Sequence, residues 1–425
     1  MGRTQTNRRS GIVWLLTTGL VLAGMSQARA QDSADGKGDA NAAASQAATA
    51  KPSFEIYGFA MLDIGQNFKQ IHPDWYDTLR VTRLPAVKDE FGKDNSTFAG
   101  VRQSRLGVRS STPTDLGDLK TIFEFELFGT GVDSGQTTFR LRHAWGELGA
   151  FGAGQYWSPF TDPDVFPNSL EYWGPTGLAW YRNVQVRWTP ISDDRQSFMV
   201  ALERPGASGD AGVYSDRVEL QNIKPRFPLP DVSASYKASR KWGYVRAAGM
   251  LRLIKYDDVL ADQFDLSGSA TGWGINLSSN LNAGKNDVVR AQFVFGEGIQ
   301  NYMNDSPVDV GVVRQPNNAL TPVTGETIPI TGLVLFLDHT WNKQFSSAVG
   351  YSRQDNDNTA DQAPGAFRVG QYALGNLLYY PVPNVMVGGE LQWGRRENFS
   401  DGFQSDGFKV QFSFKYNFSW KLGGQ

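Results

Sequence analysis

Eight arginines recur at alternate positions within stretches that otherwise alternate apolar and polar residues. A guanidinium carries a permanent positive charge and a planar fork of N–H donors, which binds a carboxylate in a bidentate manner. Because alternate residues of a strand share one face, these arginines predict a positively charged face that attracts small anions. The stronger candidates for anion contact are Arg105, Arg109, Arg140, Arg142 and Arg187, and the weaker candidates are Arg246, Arg252 and Arg290.

A simpler interpretation is that these arginines only solvate a polar surface and form ion pairs with acids on the same strand faces. The acids on that phase are Asp63, Glu124, Glu126, Glu203 and Glu390. Loss of residues 1–30 removes four of the 41 basic residues and none of the 43 acidic ones, which leaves 37 against 43. A net-negative chain that places arginine on its polar strand faces favours anion attraction, and its overall charge argues against binding to nucleic acid.

The strands that must position these side chains are clearest at the end of the chain. From Phe408 to Trp420 every even position is aromatic or Val, and every odd position is Lys, Gln, Ser or Asn. A period of two over this length predicts a strand long enough to cross a bilayer at a tilt. If lipid covers the apolar face, the sheet must close so that no backbone group is left unpaired. The pattern therefore predicts an all-β protein, a transmembrane antiparallel β-barrel with a polar interior.

Sixteen segments of this kind follow Phe54, and short turns alternate with long loops between them, as in outer-membrane barrels. The predicted strands are 54–68, 97–111, 118–130, 137–149, 152–158, 180–190, 196–204, 231–239, 242–255, 270–282, 286–300, 329–342, 344–354, 368–381, 384–397 and 406–420. Residues 53–425 are thus predicted to form one barrel domain of about 16 strands. The predicted lipid-facing side chains include Phe123, Phe139, Val186 and Leu251, and the predicted interfacial aromatics include Trp145, Trp188, Tyr244 and Trp420.

The N-terminus predicts export from the cytoplasm. Arg3, Arg8 and Arg9 precede a short apolar run, and Ala28-Arg29-Ala30 provides a cleavage motif, so residues 1–30 are predicted to be a signal peptide. Residues 31–52 are rich in Ala, Ser, Gln and Gly and predict a flexible periplasmic segment. The mature chain is expected in the bacterial outer membrane, in contact with lipid.

The loop 159–179 is predicted to fold into the barrel as a constriction. It contains four prolines among several aromatic residues, a composition that favours a stiff, packed loop over a solvated one. Its acids, Asp162, Asp164 and Glu171, are candidates for shaping the side of the channel opposite the arginines. A plain surface loop is the alternative.

Other function classes find little support. The chain has no cysteine, and its histidines, His72, His143 and His339, lie on separate segments without a legible Ser-His-Asp arrangement. We therefore expect no catalysis, no cofactor and no metal. The alternatives left open are a non-selective diffusion pore, an outer-membrane barrel enzyme such as a lipase or protease, and a secreted soluble β-protein.

Several motifs resemble the DcaP-like outer-membrane porins. The matching stretches include FRLRHAWGEL from Phe139, DVFPNSLEYWGP from Asp164, and the segments 54–63, 101–108, 154–160 and 201–206. The resemblance implies a homotrimer of sixteen-stranded barrels through which small anions, dicarboxylates among them, diffuse passively. Two features differ from that family: residues 31–51 lack the heptads of a coiled-coil extension, and the chain continues past Trp420 instead of ending on an aromatic residue.

Overall fold

The computed structural model describes residues 51–423, in which the strands close into one antiparallel barrel. The strands are β1 (Ser53–Asn67), β2 (Ser96–Gly100), β3 (Arg105–Thr114), β4 (Gly117–Phe128), β5 (Thr137–Leu148), β6 (Phe151–Trp157), β7 (Arg182–Ser192), β8 (Gln196–Glu203), β9 (Gly209–Asp210), β10 (Ile223–Arg226), β11 (Asp231–Arg240), β12 (Gly243–Asp258), β13 (Gly268–Asn282), β14 (Asp287–Glu297), β15 (Val310–Arg314), β16 (Val323–Thr327), β17 (Pro329–Thr340), β18 (Phe345–Asn356), β19 (Phe367–Tyr379), β20 (Val385–Asn398) and β21 (Gln404–Gly423). Short 3-10 turns occupy Pro73–Trp75, Val81–Arg83, Gly131–Asp133, Pro163–Val165, Gly212–Tyr214, Val218–Asn222 and Gln300–Tyr302. Within residues 51–423, no helix is long and apolar enough to span a bilayer.

The barrel closes where the first and last strands pair. β1 and β21 are antiparallel over their whole common length, from Ser53 opposite Gly423 to Asn67 opposite Lys409. On its other side β1 pairs with both β2 and β3, which together form one barrel strand interrupted at 101–104. Likewise β10 and β11 both pair with β12 and form one strand interrupted at 227–230, where Pro228 and Pro230 cannot donate to a ladder. The count of sixteen strands predicted from the sequence is therefore confirmed.

The outer surface of the barrel is apolar, as the alternation predicts. Phe139, Val186 and Leu251 expose 74%, 59% and 62% of their surface, whereas the arginines next to them in sequence are largely covered. Two predicted interfacial aromatics are wrong, because Trp145 and Tyr244 are buried at 5% and 7% exposure. Tyr244 shares the inward phase of Arg246.

Trp145 turns inward because a bulge shifts the phase of β5. Glu124 pairs with His143 and the next residue, Phe125, pairs with Leu141, so that Arg142 is an extra residue in the ladder. Arg142 and His143 are consecutive and both buried. After this bulge the inward-facing residues of β5 have odd numbers, Trp145 among them. The guanidinium of Arg187 lies 4.6 Å from the Trp145 ring centroid.

The loop between β6 and β7, residues 158–181, crosses the interior of the barrel. Its side chains Phe160, Val165 and Leu170 are at most 1% exposed. The backbone N–H of Leu170 donates to Glu390 on β20 at 2.8 Å, and Asn276 on β13 donates to the Phe160 carbonyl at 2.7 Å. Since these contacts join the loop to distant parts of the wall, the predicted inward-folded constriction loop is confirmed.

A second loop, residues 68–95, packs against the constriction loop. Leu79, Val81 and Leu84 share an apolar cluster with Val165 and Leu178. The loop 68–95 thereby holds one side of the constriction loop in place.

Candidate functional site

A cavity of about 430 Å³ separates the constriction loop from the barrel wall. Four arginines line one side of it, and the opposite side carries loop residues that include Pro163, Asp164, Phe166 and Trp173. The arginines are Arg105 on β3, Arg140 and Arg142 on β5, and Arg182 at the start of β7. The β5 bulge and the return of the loop into β7 bring these residues together.

The four guanidiniums surround two buried glutamates of β4. Arg142 donates from Nε to Glu124 at 2.5 Å and from Nη1 to Glu126 at 2.8 Å. Arg105 lies 3.8 Å from Glu124 and 3.6 Å from Glu126. Arg140 and Arg182 approach Glu126 at 3.4 Å and 3.9 Å. The cluster therefore holds four fixed positive charges against two negative charges, and its surplus faces the cavity.

Tyr172 of the constriction loop covers this cluster. Its ring stacks on Phe128 of β4 with centroids 3.8 Å apart and planes 6° from parallel. The hydroxyl donates to Glu126 and accepts from Arg140 Nη1 at 3.1 Å. Burial and the neighbouring Glu126 charge raise the pKa of the Tyr172 phenol, so the hydroxyl stays protonated and available as a donor.

Three further predicted arginines, Arg246, Arg252 and Arg290, hold loops in place. Arg246 donates to the carbonyls of Thr161 and Pro159 at 2.5 Å and 2.8 Å. Arg290 pairs with Asp338 at 2.6 Å and donates to the carbonyl of Asp164; it also lines the cavity.

Arg252 is the most completely enclosed of these three. Its side chain is 0% exposed, and it lies between Asp231 at 3.0 Å and Asp309 at 2.8 Å. It also donates to the carbonyls of Gly206 and Gly298. Its charge is therefore matched by two carboxylates within the wall and the loops.

The remaining two predicted arginines lie away from the cavity. Arg109 on β3 donates to Glu55, near the start of β1, at 2.9 Å. Arg187 lies 3.6 Å from Glu147 and under Trp145. The simpler interpretation, ion pairing on a polar wall, thus describes Arg109 and Arg187, but it leaves the cavity cluster with a charge surplus.

The three predicted acids of the constriction loop differ in their partners. Asp162 is buried between Tyr244, Ser278 and Arg246; burial would raise its pKa, but the Arg246 charge and these hydrogen bonds lower the pKa overall. Glu171 pairs with the fully buried Lys409 at 2.8 Å. Asp164 lines the cavity and pairs with Lys237 at 2.5 Å. Asp164 is thus a negative group of this loop that faces the cavity in a partly exposed pair.

Arg182 was not among the arginines predicted from the sequence. It shares its phase on β7 with Val184 and Val186, which are exposed, while Asn183 and Gln185 between them are buried. Strict alternation places Arg182 on the outer face, yet its side chain is 10% exposed and lines the cavity. The available signal was energetic, because arginine on a lipid-facing phase is costly and must find another environment.

Comparison with known proteins agrees with this architecture. The family model of the DcaP outer membrane protein matches residues 83–418. The outer membrane channel DcaP of Acinetobacter baumannii superposes with a TM-score of 0.72 and 21% identity over 87% of this chain and 98% of that one. No curated protein matches the chain.

Two more distant structures share the fold. The outer membrane protein OmpT of Vibrio cholerae has a TM-score of 0.53 and 13% identity, over 88% of this chain and 99% of its own. The anion-selective porin of Comamonas acidovorans has a TM-score of 0.53 and 11% identity, over 87% of this chain and 100% of its own. The closed barrel, its inward loop and the extent of the family match show that this chain belongs to the DcaP outer membrane protein family and is an outer-membrane channel of the porin type.

Proposed function

We propose that this channel is anion-selective and passes small carboxylate solutes, dicarboxylates included, down their concentration gradients. The observation that carries the proposal is the arrangement of Arg105, Arg140, Arg142 and Arg182 around two glutamates on one wall of the cavity. The description of the Comamonas structure as an anion-selective porin agrees with this proposal, although its likeness to this chain is one of fold.

The charge surplus is large enough to decide which ions pass. A unit charge about 4 Å away contributes on the order of 4 kcal/mol at an effective dielectric constant of about 20. A fraction of that energy changes the relative occupancy of anions and cations tenfold, because about 1.4 kcal/mol corresponds to a factor of ten. The guanidinium donors also replace part of the hydration shell that a carboxylate loses in the constriction.

The alternative of a non-selective diffusion pore predicts a different electrical result. In a planar bilayer with a tenfold KCl gradient, we expect a zero-current potential whose sign shows that chloride is more permeant than potassium. Arg105 and Arg140 line the cavity, with 11% and 29% of their side chains exposed, so R105Q/R140Q is expected to lower the anion-to-cation permeability ratio about tenfold. Arg109→Gln serves as the matched control. A potential near zero for the wild-type channel would establish the non-selective pore instead.

We propose no catalytic role for the chain. His143 is buried beside Glu124 and Trp157, His72 accepts from the N–H of Asp74, and His339 pairs with Asp287 at 2.6 Å. In the part of the chain that the structure describes, no group of three or more metal-ligating side chains could hold a metal ion. Inertness of the purified channel toward ester and peptide substrates tests this proposal.

We also propose that the mature chain assembles as a homotrimer. The DcaP-like motifs of the sequence support this state, and the apolar outer strand faces are able to pack against a second barrel as well as lipid. Residues 1–30, the predicted signal peptide, and nearly all of the predicted segment 31–52 lie outside the described residues. Light scattering of the detergent-solubilised protein tests the trimer. Sequencing of the mature N-terminus, which we expect at Gln31, tests the removal of the signal peptide.

A further inference from the structure

We infer that Arg182 is a solute-contacting residue of the constriction, whose guanidinium donates a hydrogen bond to the carboxylate of a passing anion. This inference rests on the proposed anion selectivity and adds a named donor to it. Arg182 stands directly after the constriction loop, opposite Trp157 in the β6–β7 pair, at the point where the loop rejoins the wall.

The first part of the argument is that Arg182 has a donor without a partner. Its side chain is 90% covered, yet the buried Nη1 atom has no hydrogen-bond partner in the structure. A buried guanidinium N–H normally finds an acceptor, because leaving it unpaired forfeits the hydration that it had in water. An incompletely paired guanidinium that lines a cavity therefore points to an acceptor that the protein itself does not supply, and because Nη1 is covered, a solute reaches this guanidinium through the exposed tenth of the side chain.

The second part is that the nearest carboxylate is already occupied. Glu126 accepts from Arg142 Nη1 at 2.8 Å, from the Tyr172 hydroxyl, and more weakly from Arg140 at 3.4 Å. Arg182 reaches the same carboxylate only at 3.9 Å through Nη2, which is longer than a hydrogen bond. The charge of Arg182 is thus partly balanced by Glu126, but Glu126 accepts no hydrogen bond from Arg182.

The third part is that the aromatic surroundings fix the guanidinium without using its donors. The Arg182 Cζ atom lies 4.9 Å from the Trp157 ring centroid, and Trp157 in turn contacts Trp180 with centroids 4.4 Å apart. A ring face holds a cation but accepts no strong hydrogen bond. Arg182 is therefore held in one orientation with an open donor, which is the arrangement that binds an incoming carboxylate with little loss of side-chain entropy.

The test measures inhibition of chloride current by succinate in single channels of the full-length mature protein. Arg182→Gln removes the charge and replaces the guanidinium by a shorter, neutral amide, so we expect the half-inhibiting succinate concentration to rise about tenfold, the effect of losing one charge-assisted hydrogen bond. Arg182→Lys keeps the charge but replaces the fixed fork by a flexible ammonium, so the zero-current potential in KCl is expected to stay close to that of the wild type while the half-inhibiting concentration rises severalfold. Arg109→Gln, which removes an arginine outside the cavity, is expected to change neither quantity.

The outcomes separate this inference from the proposed function. A wild-type channel without preference for chloride would overturn the proposed function. If the wild-type channel is selective but succinate inhibits R182Q and R182K as strongly as it inhibits the wild type, the role of Arg182 alone is overturned. If R182Q fails to form channels, R182K decides: weaker succinate inhibition with the KCl potential retained supports the inference, and unchanged inhibition contradicts it.

Discussion

Two groups of arginines on the inner wall of this barrel have the same side chain and opposite surroundings. At the cavity, four guanidiniums share Glu124 and Glu126. Across the barrel, Arg252 alone has two carboxylates and two backbone carbonyls within hydrogen-bond distance. The first group has four positive charges against two carboxylates, whereas Arg252 has four acceptors for its five N–H donors. The difference teaches that the number of acceptors around each arginine separates solute attraction from loop attachment.

The largest effect on stability is expected for Arg252→Met. The substitution leaves Asp231 and Asp309 buried without their shared cation, which costs roughly 3–5 kcal/mol of unfolding free energy. Arg353→Met is the matched control, because Arg353 and Asp355 are about two-fifths exposed and such pairs contribute at most about 1 kcal/mol. Equilibrium unfolding of the detergent-refolded barrel in urea measures both. Equal losses in the two variants would show that burial of the Arg252 pairs does not matter.

A smaller effect, on selectivity more than on stability, is expected for Tyr172→Phe. The phenyl ring can still stack on Phe128, but Glu126 loses the hydroxyl donor and regains a free acceptor. We expect that acceptor to draw Arg140 away from the cavity and lower the anion-to-cation permeability ratio about threefold, which corresponds to less than one hydrogen bond. The zero-current potential in a KCl gradient measures this change. An unchanged potential together with an unchanged succinate inhibition would mean that Tyr172 only fills space.

The sequence was sufficient for the barrel because its signal is local. Each strand repeats the same alternation, and lipid outside and water inside give that alternation one meaning along the whole chain. The departures arise where the pattern is broken by a single residue. The extra residue Arg142 moves Trp145 to the interior, and the re-entry of the constriction loop places Arg182 on the cavity although its phase is outward. A phase rule cannot locate such breaks.

The division of the arginines into these two groups could not be predicted from the sequence, for a different reason. The partners that occupy Arg252 stand on loops and strands as many as 57 positions away, and Lys409 finds Glu171 across 238 positions. Arg246, Arg252 and Arg290 have the same inward phase on their strands as Arg105 and Arg140. Which of them has acceptors to spare depends on the path of the inward loops, and the sequence pattern predicted that one loop folds inward without predicting its contacts.

The smallest effect is expected for Asp164→Asn, and it has the opposite sign. Asp164 lines the cavity on the loop side and pairs with Lys237, with about a third of its side chain exposed. Removal of its charge leaves Lys237 uncompensated near the cavity, so the anion-to-cation permeability ratio should rise, by less than about twofold because solvent screens a partly exposed pair. The same bilayer measurement detects the change, and its size should shrink when both salt concentrations are raised at a constant ratio. A fall in the ratio would show that Asp164 acts by holding the loop in place, since a displaced loop widens the passage and weakens the hold of the arginine cluster on passing anions.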